Sequence, residues 1–125
     1  MATGILCIDD EAGVIELVEL IMQKEGMSVI GASSGQEGLD LMRRSSPQIV
    51  LLDIMMPEMD GWDVFKEIKA DPELKDIPII ILTARDSTFE EIIARDRAGV
   101  DDYITKPFTP QELRGSVKKV LSRIK

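Results

Sequence analysis

The sequence has no histidine and only one cysteine, Cys7. These shortages exclude histidine-based acid–base catalysis, zinc sites built on His or several Cys, and a disulfide within the chain. Cys7 lies mid-way through an apolar run with no base beside it, the setting of a small buried hydrophobe and not of a nucleophile. No apolar stretch reaches the ~18–20 residues of a membrane span, and no charged-then-apolar leader opens the chain. A cytoplasmic protein with no membrane contact is expected. What remains is 125 residues, 44% hydrophobic and 30% charged, enough for a single domain over 1–125 with one real core.

Basic residues are scarce where acids are dense. Residues 1–63 hold 12 acids and 3 bases, whereas residues 64–125 hold 11 acids and 12 bases, within a net charge of -8. That balance argues against direct nucleic-acid binding, since a phosphate backbone repels a negative surface. The asymmetry suggests an acidic pocket near the N-terminus and a basic last helix facing a partner.

Short apolar runs alternate with amphipathic stretches from end to end. Ile5–Ile8, Met27–Ile30, Ile49–Leu52, Ile79–Leu82 and Val100–Ile104 read as strands, three of them almost uninterrupted hydrophobes, as parallel strands buried on both faces should be. Val14, Leu17, Val18 and Ile21 mark a helix stopped by Gly26. Leu39 and Met42 anchor another, opened by Ser33-Ser34 and closed before Pro47. Trp62, Phe65 and Ile68 form a third stripe, and Phe89, Ile92 and Ile93 a fourth, closed by Gly99. Thr109, Pro110 and Glu112 predict a capping box for a last helix with Leu113, Val117, Val120, Leu121 and Ile124 on one face. The pattern is (βα)5, a parallel sheet sandwiched between helices.

Ligands of such sheets gather outside the carboxyl ends of the strands. Asp9, Asp10 and Glu11 follow the first strand, Asp53 the third, Thr83-Ala84 the fourth, and the fifth runs through Tyr103 into Lys106-Pro107. Singly, Asp10 or Glu11 is equally well a helix N-cap, and Lys106 a surface charge. Jointly, three close aspartates repel by roughly 1–4 kcal/mol per pair at surface-like dielectric. A hard cation with oxygen ligands offsets that, and magnesium is favoured because no nitrogen or sulfur ligand is available. A carboxylate beside magnesium, a lysine and a hydroxyl suits phosphoryl transfer.

Four segments carry a resemblance: Ile8-Asp9-Asp10-Glu11, Leu51 through Gly61 around Asp53, Leu82-Thr83-Ala84, and Asp102 through Phe108. In that order on a (βα)5 pattern, the sequence resembles the receiver domain of two-component response regulators over essentially its whole length. The resemblance implies a flavodoxin-like three-layer sandwich with strand order 2-1-3-4-5. It implies Asp53 as phosphoacceptor, served by a sensor histidine kinase or phosphotransfer protein. Asp10, Asp53 and the Met55 carbonyl would ligate Mg2+, or Mn2+ in its place, with Asp9 acting through water. Lys106 would contact the phosphoryl group, Thr83 would hydrogen-bond it, and Tyr103 would turn inward. The face of the fourth helix, fifth strand and fifth helix would then meet a downstream target, as a monomer or a phosphorylation-dependent dimer. The same resemblance implies a usually cis peptide before Pro107, and a signalling module and not an enzyme on external substrates. Met55 and Arg85 occupy positions that set phosphoryl lifetime in the family.

Two other α/β chemistries fit less well. A flavodoxin needs a hydroxyl- and glycine-rich phosphate loop where this chain has Asp9-Asp10-Glu11. A haloacid-dehalogenase-type phosphatase resembles Asp-x-Asp, and here the second position is Met55. The chain stops at the close of its last helix, as expected of a stand-alone regulator, a phosphorelay intermediate or a domain cut from a larger protein.

Overall fold

A computed structural model describes residues 4–56, 61–84 and 100–123. Five parallel strands, β1 (Ile5–Ile8), β2 (Val29–Ala32), β3 (Ile49–Asp53), β4 (Ile79–Ala84) and β5 (Asp102–Lys106), form one sheet in the order β2-β1-β3-β4-β5. Among the described residues, four helices accompany them: α1 (Ala12–Gln23), α2 (Gly35–Ser45), α3 (Gly61–Ala70) and the last helix, α4 (Pro110–Ser122). The expected doubly wound α/β order is therefore the observed one. The helix read over Phe89, Ile92 and Ile93 lies outside the described residues, as do Arg85, Gly99 and residues 57–60. None of the described helices is long and apolar enough to cross a membrane.

The unbroken apolar strands divide their residues between two cores. Leu6, Ile8, Val50, Leu52, Ile79 and Ile81 pack with α2 and α3 on one side. Ile5, Cys7, Ile49, Leu51, Ile80 and Leu82 pack with α1 and α4 on the other. Successive side chains of a strand point to opposite faces, so a sheet covered on both sides needs hydrophobes at every position. Burial pushes the Cys7 thiol up to about 12, which keeps it inert.

Helix ends follow the sequence signals. The Ser34 hydroxyl accepts the Glu37 N–H at 3.2 Å, and Ser46 closes α2 in the left-handed region, φ 45°, ahead of Pro47. Gly26, at φ 75°, turns the chain after α1, where a side chain would be strained. Thr109 and Glu112 exchange both capping-box hydrogen bonds, at 2.8 and 3.1 Å. Leu17 departs from its expected place in the apolar face of α1: it is exposed.

Two strand boundaries need correction. β2 and β5 each begin two residues later than their apolar runs, at Val29 and Asp102. The pairing decides: Val29–Ala32 align with Ile5–Ile8, and Asp102–Lys106 with Ile80–Ala84. Hydrophobicity marks what is buried, whereas these edge strands are defined by what their inner neighbour's backbone bonds, including polar positions such as Thr105 and Lys106.

Candidate functional site

The parallel arrangement brings four strand ends to one edge of the sheet. Asp9 directly follows β1, Asp53 ends β3, Thr83 is next to last in β4, and Lys106 ends β5. Register sets them side by side, with Ile8 opposite Leu52, Asp53 opposite Leu82, and Ala84 opposite Lys106. Lys106 precedes Pro107 through a cis peptide.

The two buried aspartates are held alike. Asp9 Oδ1 accepts the Glu11 N–H and Asp53 Oδ1 accepts the Met55 N–H, each at 2.9 Å. These turns fix one oxygen of each carboxylate on its own loop. The other oxygens face a single ammonium: Lys106 Nζ lies 2.7 Å from Asp9 Oδ2 and 3.3 Å from Asp53 Oδ2. Lys106 also donates a hydrogen bond to Glu11 Oε1 at 3.3 Å.

A cation fits this set. Asp9, Asp10, Glu11 and Asp53 each offer a carboxylate oxygen, all within 4.8 Å of one another. Asp9 Oδ2 is buried, and the Lys106 ammonium faces it at 2.7 Å. Three of these carboxylates, Asp9, Glu11 and Asp53, share one ammonium, and every side-chain donor of the group is a hard oxygen, a set suited to a hard divalent cation.

Burial pushes the Asp9 carboxyl up to about 6, with the neighbouring Asp53 charge adding to it, against the downward pull of Lys106 and the Glu11 N–H. Partial burial of Lys106 works against its charge, but Asp9, Asp53 and Glu11 outweigh it and hold the ammonium above its ordinary value. An acid whose folded pKa is raised contributes stability below its ordinary value near 4 and loses it as pH climbs through about 6. In EDTA at pH 8, Asp9→Asn is therefore expected to be more stable than wild type by about 1–3 kcal/mol, an advantage that fades toward pH 5. Asn keeps the acceptor for Glu11, and Lys106 retains Asp53 and Glu11. Thermal melts at both pH values check this; a variant that melts lower at pH 8 refutes it.

The remaining expected residues are placed as follows. Asp10 is exposed at the mouth, Thr83 is fully buried, and Met55 enters through its backbone while its side chain stands exposed. Tyr103 is 38% exposed, turned away from the core that Ile104 enters. Sequence reasoning treated Glu11 as a cap or motif residue. It does occupy the N-cap of α1, yet its side chain makes no capping bond and reaches Lys106 instead. Gly61 was likewise missed: a Cβ there would meet Asp53 O at 2.4 Å and Ile54 Cα at 2.3 Å.

The basic last helix is less free than its composition suggests. Lys118 and Arg114 pair with Glu25 at 3.1 and 3.8 Å, and Lys119 with Asp102 at 3.0 Å. Partial burial works against the Asp102 charge, but the Ser116 hydroxyl, at 2.6 Å, and Lys119 hold it below the usual carboxylate range.

Residues 5–118 match the family model of the response regulator receiver domain. The chain belongs to that family. It is 41% identical to the protein named "Probable transcriptional regulator ycf27" of Porphyridium aerugineum, over 96% of this chain and 48% of that protein. It is 37% identical to the alkaline phosphatase synthesis transcriptional regulatory protein PhoP of Bacillus subtilis, over 98% of this chain and 50% of that protein. The receiver thus spans about half the length of these curated relatives. The solved receiver domain of Francisella response regulator 1452 superposes with a TM-score of 0.86 at 32% identity, over 98% of this chain and 99% of that one. The chain is thus a receiver module of two-component signalling.

Proposed function

We propose that the whole chain, 1–125, acts as one receiver domain that accepts a phosphoryl group on Asp53 in a Mg-dependent reaction. The observation that carries this reading is the pair of buried aspartates, each pinned by its own loop, that share the Lys106 ammonium. Asp53 Oδ2 is the oxygen that the Met55 N–H leaves free. It attacks the phosphorus of a phosphohistidine in line; the O–P bond forms, the N–P bond breaks, and the histidine nitrogen leaves with the bonding pair and takes up a proton. Lys106 balances charge on the transferred oxygens. Asp9, Asp10, Asp53 and the Met55 carbonyl would hold the magnesium ion, which when bound neutralises phosphoryl charge. Thr83 would take one phosphoryl oxygen, and Tyr103, now outside, would move inward as the population shifts.

The donor would be a sensor histidine kinase or phosphotransfer protein, and the readout a target on the face that includes β5 and α4. A cytoplasmic setting suits this role. Incubation with magnesium and acetyl phosphate is expected to add one phosphoryl group to wild type and none to Asp53→Asn, read by intact mass. An adduct on both proteins would move the acceptor elsewhere. Turnover of added phosphomonoesters would favour the phosphatase reading.

A further inference from the structure

Glu11 makes a contact that its position in the chain does not require. It occupies the N-cap of α1, but its side chain makes no capping bond. It crosses the mouth of the pocket to Lys106, 95 residues away in sequence, at 3.3 Å. The three carboxylates that share this ammonium are not equivalent. Asp9 and Asp53 are buried, each with its Oδ1 fixed by a backbone N–H. The Glu11 side chain is 65% exposed, and the side chain of Lys106 only 17%. One partner of three can therefore let go without a buried charge being stranded.

We propose that Glu11 is a positioning residue: a releasable tether that holds the Lys106 ammonium at the pocket mouth and must yield it when a phosphoryl group occupies Asp53. This rests on the phosphoacceptor reading of Asp53. The ammonium lies equally far, at 3.3 Å, from Glu11 Oε1 and from Asp53 Oδ2. Phosphoryl oxygens on Asp53 would stand on the pocket side, so a lysine that serves them fully leaves Glu11. The tether is thus a term against the phosphorylated state, and the ligand set proposed above for magnesium does not use it. It also adds a negative charge at the entrance used by an anionic donor.

The consequence is a gain of function on removal. Glu11→Gln keeps size and removes charge; Glu11→Asp keeps charge and shortens the reach. Beryllofluoride, a phosphoryl mimic, is titrated into each protein in excess magnesium, and the Lys106 15Nζ resonance is followed in EDTA. Glu11→Gln is expected to bind beryllofluoride roughly threefold to tenfold more tightly than wild type, the scale of one unit charge near the pocket. Glu11→Asp is expected to fall between, and both variants should move the Lys106 resonance before any mimic is added. Mere structural damage would weaken binding, so the sign separates the two. Binding of Glu11→Gln that is equal to or weaker than wild type overturns the tether. If wild type itself takes up no beryllofluoride, the acceptor assignment of Asp53 falls, and the resonance alone decides: a shift in both variants upholds the contact, an unmoved resonance overturns it.

Discussion

In EDTA at pH 8, Lys106→Ala is expected to lose about 2–4 kcal/mol relative to wild type, somewhat under the figure for breaking a fully buried ion pair. The lysine is the cation shared by Asp9, Asp53 and Glu11. Without it, two buried aspartates and one exposed glutamate confront one another with only backbone N–H groups as donors. Lys106 also pulls the Asp9 carboxyl down, so its removal lets that pKa climb beyond about 6. The sign follows. Asp9 then binds its proton more tightly folded than unfolded, and stability falls as pH rises through the folded value. The deficit should be small near pH 5 and large at pH 8. Magnesium should restore much of it, because a divalent ion held by the same oxygens binds the native state alone. Melts at two pH values, with EDTA and with magnesium, give four numbers. A variant within a degree or two of wild type in all four would mean that the N–H groups of Glu11 and Met55 suffice.

Gly61→Ala should damage the site without touching a charged group. The added methyl would press on Asp53 O and Ile54 Cα, backbone atoms that cannot rotate aside. Either α3 withdraws or the end of β3 moves, and Asp53 moves with it. A cost of about 1–3 kcal/mol is expected, together with at least a tenfold loss in phosphorylation rate, since misplacement on the ångström scale costs roughly 100-fold in rate. Gly115→Ala is the control. A Cβ at Gly115 meets nothing within 4 Å, so that variant should phosphorylate normally and gain about 1 kcal/mol of helix stability. Normal phosphorylation of Gly61→Ala would show that the loop relaxes freely.

What the sequence made legible was whatever depends on local pattern. The runs around Ile5, Ile49 and Ile79 announced strands buried on both faces, and Thr109-Pro110 with Glu112 announced a capped helix. Asp9, Asp53, Thr83 and Lys106 could be sent to one rim because parallel strands all end on the same side. What stayed hidden depends on where distant segments meet. Nothing near Glu11 says that Lys106 will arrive beside it, and nothing in the last helix says that Glu25 will occupy Lys118 and Arg114. Gly61 stood only as the last residue of the segment around Asp53, because its constraint comes from the backbone of β3 and not from its own conformation.

The pinned oxygens of Asp9 and Asp53 bear on a common experimental shortcut. A carboxylate reaches the N–H two residues ahead because aspartate has a single methylene between backbone and carboxyl. Glutamate at position 53 would overshoot: its carboxylate would release the Met55 N–H, and the loop would lose the bond that now orients it. Such a residue adds length but neither the charge nor the oxygen number of a phosphoryl group. In this receiver, side-chain stem length is itself part of the signal, and a glutamate placed at 53 reports a broken turn before it reports an activated state.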